Sequence, residues 1–141
     1  MNRITILIFA FIFFGGSNVF GQKIDESDLI GKWNVKNLEG TIEIPNAQKE
    51  MIDALKKAFM ESTFEFESDH NFTLEIDFIG IEDMMTKVHW NYIKEKSRIV
   101  IQEWADKDKI NSGLMDIIVE KKNGKVFFKL TESPLILEVE K

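Results

Sequence analysis

Apolar and polar side chains alternate along three separate stretches of this chain. Phe64 and Phe66 alternate with glutamates, and the same pattern runs from Phe72 to Phe78 and from Val88 to Tyr92. A period of two residues places the apolar side chains on one face of an extended strand and the polar side chains on the other. Each stretch is therefore predicted to be a strand with one buried face, which constrains the chain to a mainly β fold.

Five further stretches are predicted to be strands, because Val and Ile lose less side-chain freedom in strands than in helices. They are residues 32–44, 98–104, 114–122, 125–131 and 135–140. Asn123-Gly124, between two of them, is a strong signal for a two-residue hairpin. Short turns join antiparallel neighbours, and a row of eight such strands leaves two bare edges unless it closes. We therefore predict an all-β, eight-stranded antiparallel up-and-down barrel.

One segment, Asn46 to Met60, departs from the strand pattern. Helical spacing brings five apolar side chains to one face of it: Met51, Ile52, Leu55, Ala58 and Phe59. Asn46 after Pro45 is a suitable N-cap, so an amphipathic helix is predicted between strands 1 and 2. Two locations are open for its apolar face. One is the barrel mouth, as a lid, and the other is the outer wall, which offers Val100, Ile118, Phe127 and Ile136.

The first 21 residues have the pattern of a secretory signal peptide. Arg3 precedes an apolar run from Ile4 to Phe14, and a polar break and Gly21 follow. The run is shorter than the roughly 20 apolar residues that a spanning helix needs. We expect cleavage after Gly21, leaving residues 22–141 as one domain with no stable membrane anchor. The expected location is periplasmic or extracellular.

Charge and composition exclude several classes of function. The formal net charge is −6, which argues against nucleic acid as a partner, and there is no cysteine for a disulfide or a thiolate metal site. The two histidines, His70 and His89, fall in a predicted turn and on the wet face of a predicted strand. Residues 106–111 begin like a calcium loop but lack its glycine. We predict no catalytic residues, no metal and no cofactor.

After a short polar lead-in, Asp25-Glu26-Ser27-Asp28, the segment Leu29-Ile30-Gly31-Lys32-Trp33 opens the first strand with Gly-x-Trp. With the predicted topology, the chain resembles the lipocalins, and among them the short lipocalin-like (calycin-type) proteins that Bacteroidota export. The resemblance implies that Gly31 lets the chain turn under the closed end. It also implies that Trp33 forms the barrel floor, with a basic side chain from a late strand across its indole ring.

The chain departs from the family at several points. It lacks the Thr-Asp-Tyr motif and the disulfide of larger lipocalins. Arg98 is the only arginine in residues 22–141, and it lies too early to be the late basic residue. Lys129 and Lys141 are the candidates for that role.

Function depends on whether the barrel is hollow, since eight strands enclose either side chains alone or one small ligand. The candidate interior residues are Trp33, Phe66, Leu74, Phe78, Trp90, Tyr92, Met115, Ile117 and Phe128, and the candidate portal residues are Phe59, Met84 and Met85. Tyr92 would either orient a guest or bond to a backbone carbonyl. We expect non-covalent binding of a small apolar ligand in the interior. The alternative is a filled barrel that serves as a structural module or binds a protein of the cell envelope.

Overall fold

The computed structural model describes residues 23–39, 49–85, 88–109, 113–133 and 135–141. The predicted signal peptide and the predicted cap at Asn46 lie outside these ranges. The elements are α1 (Glu26–Leu29), β1 (Gly31–Glu39), α2 (Lys49–Met60), β2 (Thr63–Phe66), β3 (Asn71–Glu75), α3 (Ile81–Met84), β4 (Val88–Ile93), β5 (Arg98–Gln102), β6 (Met115–Lys122), β7 (Lys125–Leu130) and β8 (Ile136–Glu140). Single 3₁₀ turns occupy Lys94–Lys96 and Trp104–Asp106.

The eight strands form a closed barrel in which each strand pairs with the next and β8 returns to β1. All of these pairings are antiparallel, with Leu38 opposite Leu137 at the closure. A bulge between Val35 and Asn37 interrupts the register there, and such bulges bend a strand. The predicted up-and-down barrel with one helix between its first two strands is confirmed.

The seams of the barrel differ in length. The β6–β7 hairpin has six register pairs and turns at Asn123 and Gly124, both with positive φ (54° and 76°), as the sequence predicted. In contrast, β3 and β4 share two register pairs within the described residues, Asn71 with His89 and Phe72 with Val88. The β3–β4 seam is therefore the shortest described contact between neighbouring strands.

Two strands are shorter than the alternation predicted. β3 ends at Glu75, although Ile76 is still buried, and the chain then turns through Gly80 at φ +95°. β5 ends at Gln102, because Trp104 begins a 3₁₀ turn. The alternation of apolar and polar residues indicates which side chains are buried. Side chains such as Ile76 remain buried beyond the last hydrogen bond of the strand, so the pattern overestimates strand length.

The barrel has two ends of different construction. The floor end comprises residues 23–30 and the turns 67–70, 94–97 and 123–124, and the helix end comprises α2 and the connections 76–85, 103–109 and 131–133. The last turn of α2 packs on the core: Phe59 is 3% exposed and stacks on the inward Phe64, with ring centroids 6.4 Å apart. Of the two locations open to the helix, its last turn occupies the mouth.

Candidate functional site

The barrel interior is lined by aromatic rings in mutual contact. Six of the nine interior candidates are buried in the core: Trp33, Phe66, Leu74, Trp90, Ile117 and Phe128. The other three, Phe78, Tyr92 and Met115, are partly buried against it. Phe66 meets Phe72 at a centroid distance of 5.0 Å and Trp90 at 5.3 Å. These tilted and edge-to-face contacts are the arrangements that aromatic rings prefer.

The packing of these rings leaves no room beside them. Five aromatic side chains have no exposed surface at all: Phe64, Phe66, Phe72, Trp90 and Phe128. A side chain without accessible surface has no neighbouring space large enough for a water molecule. The level of the barrel that these rings occupy is therefore filled by the protein's own side chains.

Tyr92 uses its hydroxyl group for the fold. Its hydroxyl donates a 2.6 Å hydrogen bond to the carbonyl of Ile24, as one of the two sequence-based interpretations proposed. Burial raises the pKa of this hydroxyl, so it stays protonated and keeps donating. Tyr92 thus anchors the segment 23–30 to the wall of the barrel.

The three portal candidates do not share one environment. Phe59 and Met85 are buried (3% and 2% exposed), and the Met85 carbonyl accepts a hydrogen bond from the Leu74 amide, which extends β3. Met84 is 51% exposed. The structure therefore places Phe59 and Met85 in the core and leaves Met84 at the surface.

Exposed apolar side chains concentrate at the helix end. Among the described residues, the large apolar side chains that face solvent are Met51, Met60, Ile79, Met84 and Trp104. Four of them, Met51, Met60, Ile79 and Met84, belong to the connections after β1 and β3 at the helix end, whereas Trp104 reaches back along the outer wall to Asn71 at the start of β3. Ile79 is completely exposed. Large apolar side chains left in solvent at one end of a barrel are candidates for a binding surface.

The floor end is built around Trp33. Its indole Nε1 donates to the Leu29 carbonyl at 2.8 Å, and Lys141 Nζ lies 5.1 Å from the ring centroid. Lys141 therefore takes the position that the resemblance assigned to a late basic residue. Gly31 has φ +131°, a conformation that suits glycine, and a Cβ there would meet the Lys141 side chain at 3.4 Å.

A groove of about 410 Å³ opens beside Trp33 at the floor end. Its rim carries both signs of charge: Asp28, Lys36, Lys125, Glu138, Glu140 and Lys141. Lys125 and Glu138 pair at 3.3 Å. Three lysines and three carboxylates give the rim a net charge of zero, so the charge count favours neither an anion nor a cation.

His89 was predicted on a wet face, and this prediction was wrong. The side chain points outward from β4, but it is 9% exposed because residues 103–109 fold back over it. Gln102, opposite His89 on β5, is 3% exposed for the same reason. Alternation correctly gives the direction of such a side chain and carries no information about a distant segment that covers it.

Two kinds of feature are absent from the described residues. No group of three or more His, Cys, Asp or Glu side chains there is arranged to hold a metal ion. Within the same ranges, no helix combines the length and apolar character needed to cross a membrane. Comparison with models of protein families, with curated proteins and with solved structures gave no match to this chain.

Proposed function

We propose that this chain is a small exported protein of the lipocalin-like, calycin type, and that it binds an apolar small molecule non-covalently at the helix end. The type is supported by the closed eight-stranded meander. It is supported further by the floor, where Gly31, Trp33 and Lys141 have the arrangement that the resemblance implies.

The location of binding rests on a contrast between interior and mouth. The rings at the level of Phe64 and Phe128 fill the interior, whereas Ile79 and Met84 face solvent at the helix end. Burial of apolar surface stabilises a complex by about 25 cal/mol for each Å² that is removed from water. An apolar ligand is therefore expected to bind most favourably where apolar side chains are still exposed. This contrast is the observation that carries the proposal.

The chemistry of the helix end suits an adaptable apolar contact. Phe78 and Met115 are half-buried against the core. Methionine side chains are flexible and polarisable, so Met84 can repack around guests of different shape. Binding deeper in the barrel requires the rings of Phe64 and Phe128 to separate from their 5.5 Å contact, and it stays a prediction.

A second function is favoured by the same filled interior. A filled barrel is a rigid platform, and its exposed apolar end would then dock a protein of the cell envelope. The exposure of Ile79 fits this alternative equally well, because such a side chain is a natural anchor for a pocket on a partner.

Native mass spectrometry separates the two functions. The exported protein is purified gently and measured before and after organic extraction, and an apolar carrier is expected to lose a discrete mass. The dye anilinonaphthalene sulfonate is then titrated against Ile79→Ser combined with Met84→Gln. We expect affinity to fall about fivefold or more, since apolar contact is lost. Ile118→Ser on the outer wall of β6 is the control and should bind as before.

A protein that retains no mass, and whose dye affinity is the same in all three forms, would contradict small-molecule binding at the helix end. The docking function would then be tested by crosslinking from position 79 in envelope extracts.

A further inference from the structure

The two histidines of the chain meet on the outer wall, next to an exposed tryptophan. His70 comes from the β2–β3 turn and His89 from β4, and their ring centroids are 5.7 Å apart. Trp104 lies against His89 at 4.6 Å, and His70 lies against Trp90 at 4.9 Å. We call His70, Asn71, His89 and Trp104 the clasp, and residues 103–109, which carry Trp104, the strap.

The clasp spans the β3–β4 seam, which has the fewest register pairs among the described residues. Trp104 Nε1 donates a 2.8 Å hydrogen bond to Asn71 Oδ1 on β3. Because the strap follows β5, this bond crosses the outer face of β4 and links β5 to β3. The far end of the strap is held by Gln102, whose amide donates to the Lys109 carbonyl. The strap therefore adds a side-chain link to a seam whose described backbone contacts are two register pairs and the hydrogen bonds Trp90 to His70 and Leu74 to Met85.

His89 is suited to this position only as a neutral side chain. It is nine-tenths buried, and its Nδ1 has no hydrogen-bond partner among the described residues. A protonated imidazole carries a hydrogen on both nitrogens, so Nδ1 would become a donor without an acceptor. A buried charge with an unpaired donor is strongly disfavoured.

Most of the groups around His89 lower its pKa. Burial lowers the pKa of His89 most, and the nearby His70 and Lys107 lower it further, while Asp108 on the strap opposes them. Glu26 of α1 faces the other histidine, with its Oε1 3.6 Å from His70 Nε2. Asn71 and Gln102, from β3 and β5, are neutral.

We propose that the clasp is an acid-sensitive latch: it holds the strap on the β3–β4 seam while His89 is neutral, and it releases Trp104 when His89 is protonated. Release uncovers the outer face of β4 and β5 and leaves the β3–β4 seam with its backbone hydrogen bonds alone. The latch is independent of the proposed ligand, and its test needs none.

The three indole N–H groups provide an internal standard for the test. Trp33 donates to Leu29, Trp90 to Glu67 and Trp104 to Asn71, so each indole proton reports one hydrogen bond. Hydrogen exchange of the three protons is followed by NMR between pH 7.5 and pH 5.0. Taking the ratio of rates removes the common effect of pH on exchange chemistry. We expect exchange of the Trp104 proton to accelerate about tenfold relative to that of Trp33, through local opening.

Two variants make the test specific. His89→Phe keeps a flat ring under Trp104 and cannot take up a proton, so its exchange ratio should stay constant with pH. His70→Asn removes the neighbouring imidazole that lowers the pKa of His89, and asparagine tolerates the positive φ of 70° at this position. In this variant, the pH midpoint of the change in exchange ratio should move up toward the ordinary histidine pKa of about 6.5. An exchange ratio that stays constant with pH in the wild type would overturn the latch, and so would an equal acceleration of Trp104 exchange in His89→Phe. An unshifted pH midpoint in His70→Asn would show that His70 is not part of the latch.

Discussion

The two ends of the barrel are closed by different kinds of interaction. At the floor end, Trp33 and Tyr92 donate to the backbone carbonyls of Leu29 and Ile24. Lys94 adds an ion pair with Asp25. These bonds are directional, and they fix the segment 23–30 in one position under the strands.

At the helix end, closure depends on apolar packing. Phe59, Met85 and Leu135 are buried there, while Ile79 and Met84 remain in solvent. Apolar contacts are not directional, so these side chains can repack without losing a specific bond. One end is therefore closed by directional hydrogen bonds, and the other is closed by apolar packing that leaves Ile79 and Met84 in solvent.

The largest effect is expected at the floor. Trp33→Ala removes a buried ring, its hydrogen bond to Leu29 and the Lys141 contact. The free energy of unfolding should fall by about 3 to 5 kcal/mol, the range for large-to-small core changes. Urea denaturation measures it. Trp104→Ala, at a 40% exposed position, is the matched control, and equal losses in the two variants would contradict the difference in burial.

Helix α2 offers a comparison within one element. Phe59→Ala should lower the free energy of unfolding by about 3 kcal/mol, because this ring is buried against Phe64. Met51→Ala, two turns earlier and 60% exposed, should change it by less than about 0.5 kcal/mol. Thermal or urea unfolding of both variants checks this. A large effect at Met51 would mean that the whole helix, and not its last turn, is part of the core.

The fold could be predicted from the sequence because its signals are local. Alternation such as Phe64 to Phe66, together with the Asn123-Gly124 turn, specifies strands and their order. Whether the interior is filled depends on rings from four different strands meeting, such as Phe64 with Phe128. That outcome is set by summed side-chain volume across distant segments, which no local pattern contains.

The candidate site shows the same limit. The sequence placed Met84 and Met85 together as portal residues, yet adjacent residues in the connection face core and solvent in turn. The burial of His89 was missed because the strap that covers it begins 14 residues later, at Glu103. The meeting of two histidines beside the β3–β4 seam with a tryptophan from a later connection became recognisable only in three dimensions.

Acid should affect the wall that joins the two ends. In the clasp, a turn of the floor end and a connection of the helix end contact the same side chain, His89. Because folding lowers the pKa of His89, the unfolded chain takes up this proton first as pH falls below about 6.5. The wild type should therefore lose stability relative to His89→Phe below that pH, by at most about 1.4 kcal/mol per pH unit. Denaturation curves at pH 8 and pH 5.5 check it, and parallel losses in both proteins would refute it.

A smaller effect is expected from the exposed cation of the floor. Lys141→Gln removes the charge over the Trp33 ring, and surface contacts of this kind contribute about 0.5 to 1 kcal/mol. The Lys129→Gln control, on an exposed position of β7 away from the ring, should leave the free energy of unfolding unchanged. If the two variants unfold alike in urea, Lys141 has no energetic role at the floor.

The smallest effect on stability is expected at Ile79, and it tests the comparison most sharply. The side chain is fully exposed, so Ile79→Ser should change the free energy of unfolding by less than about 0.5 kcal/mol. Binding is expected to behave in the opposite way, since the same change removes apolar surface from the proposed site. If Ile79→Ser lowers the affinity for the dye and leaves the free energy of unfolding unchanged, the Ile79 side chain contributes to binding and not to the fold. Should Ile79→Ser instead destabilise the protein as much as Phe59→Ala, the connection 76–85 would be part of the core, and the distinction between a fixed floor and an adaptable helix end would be lost.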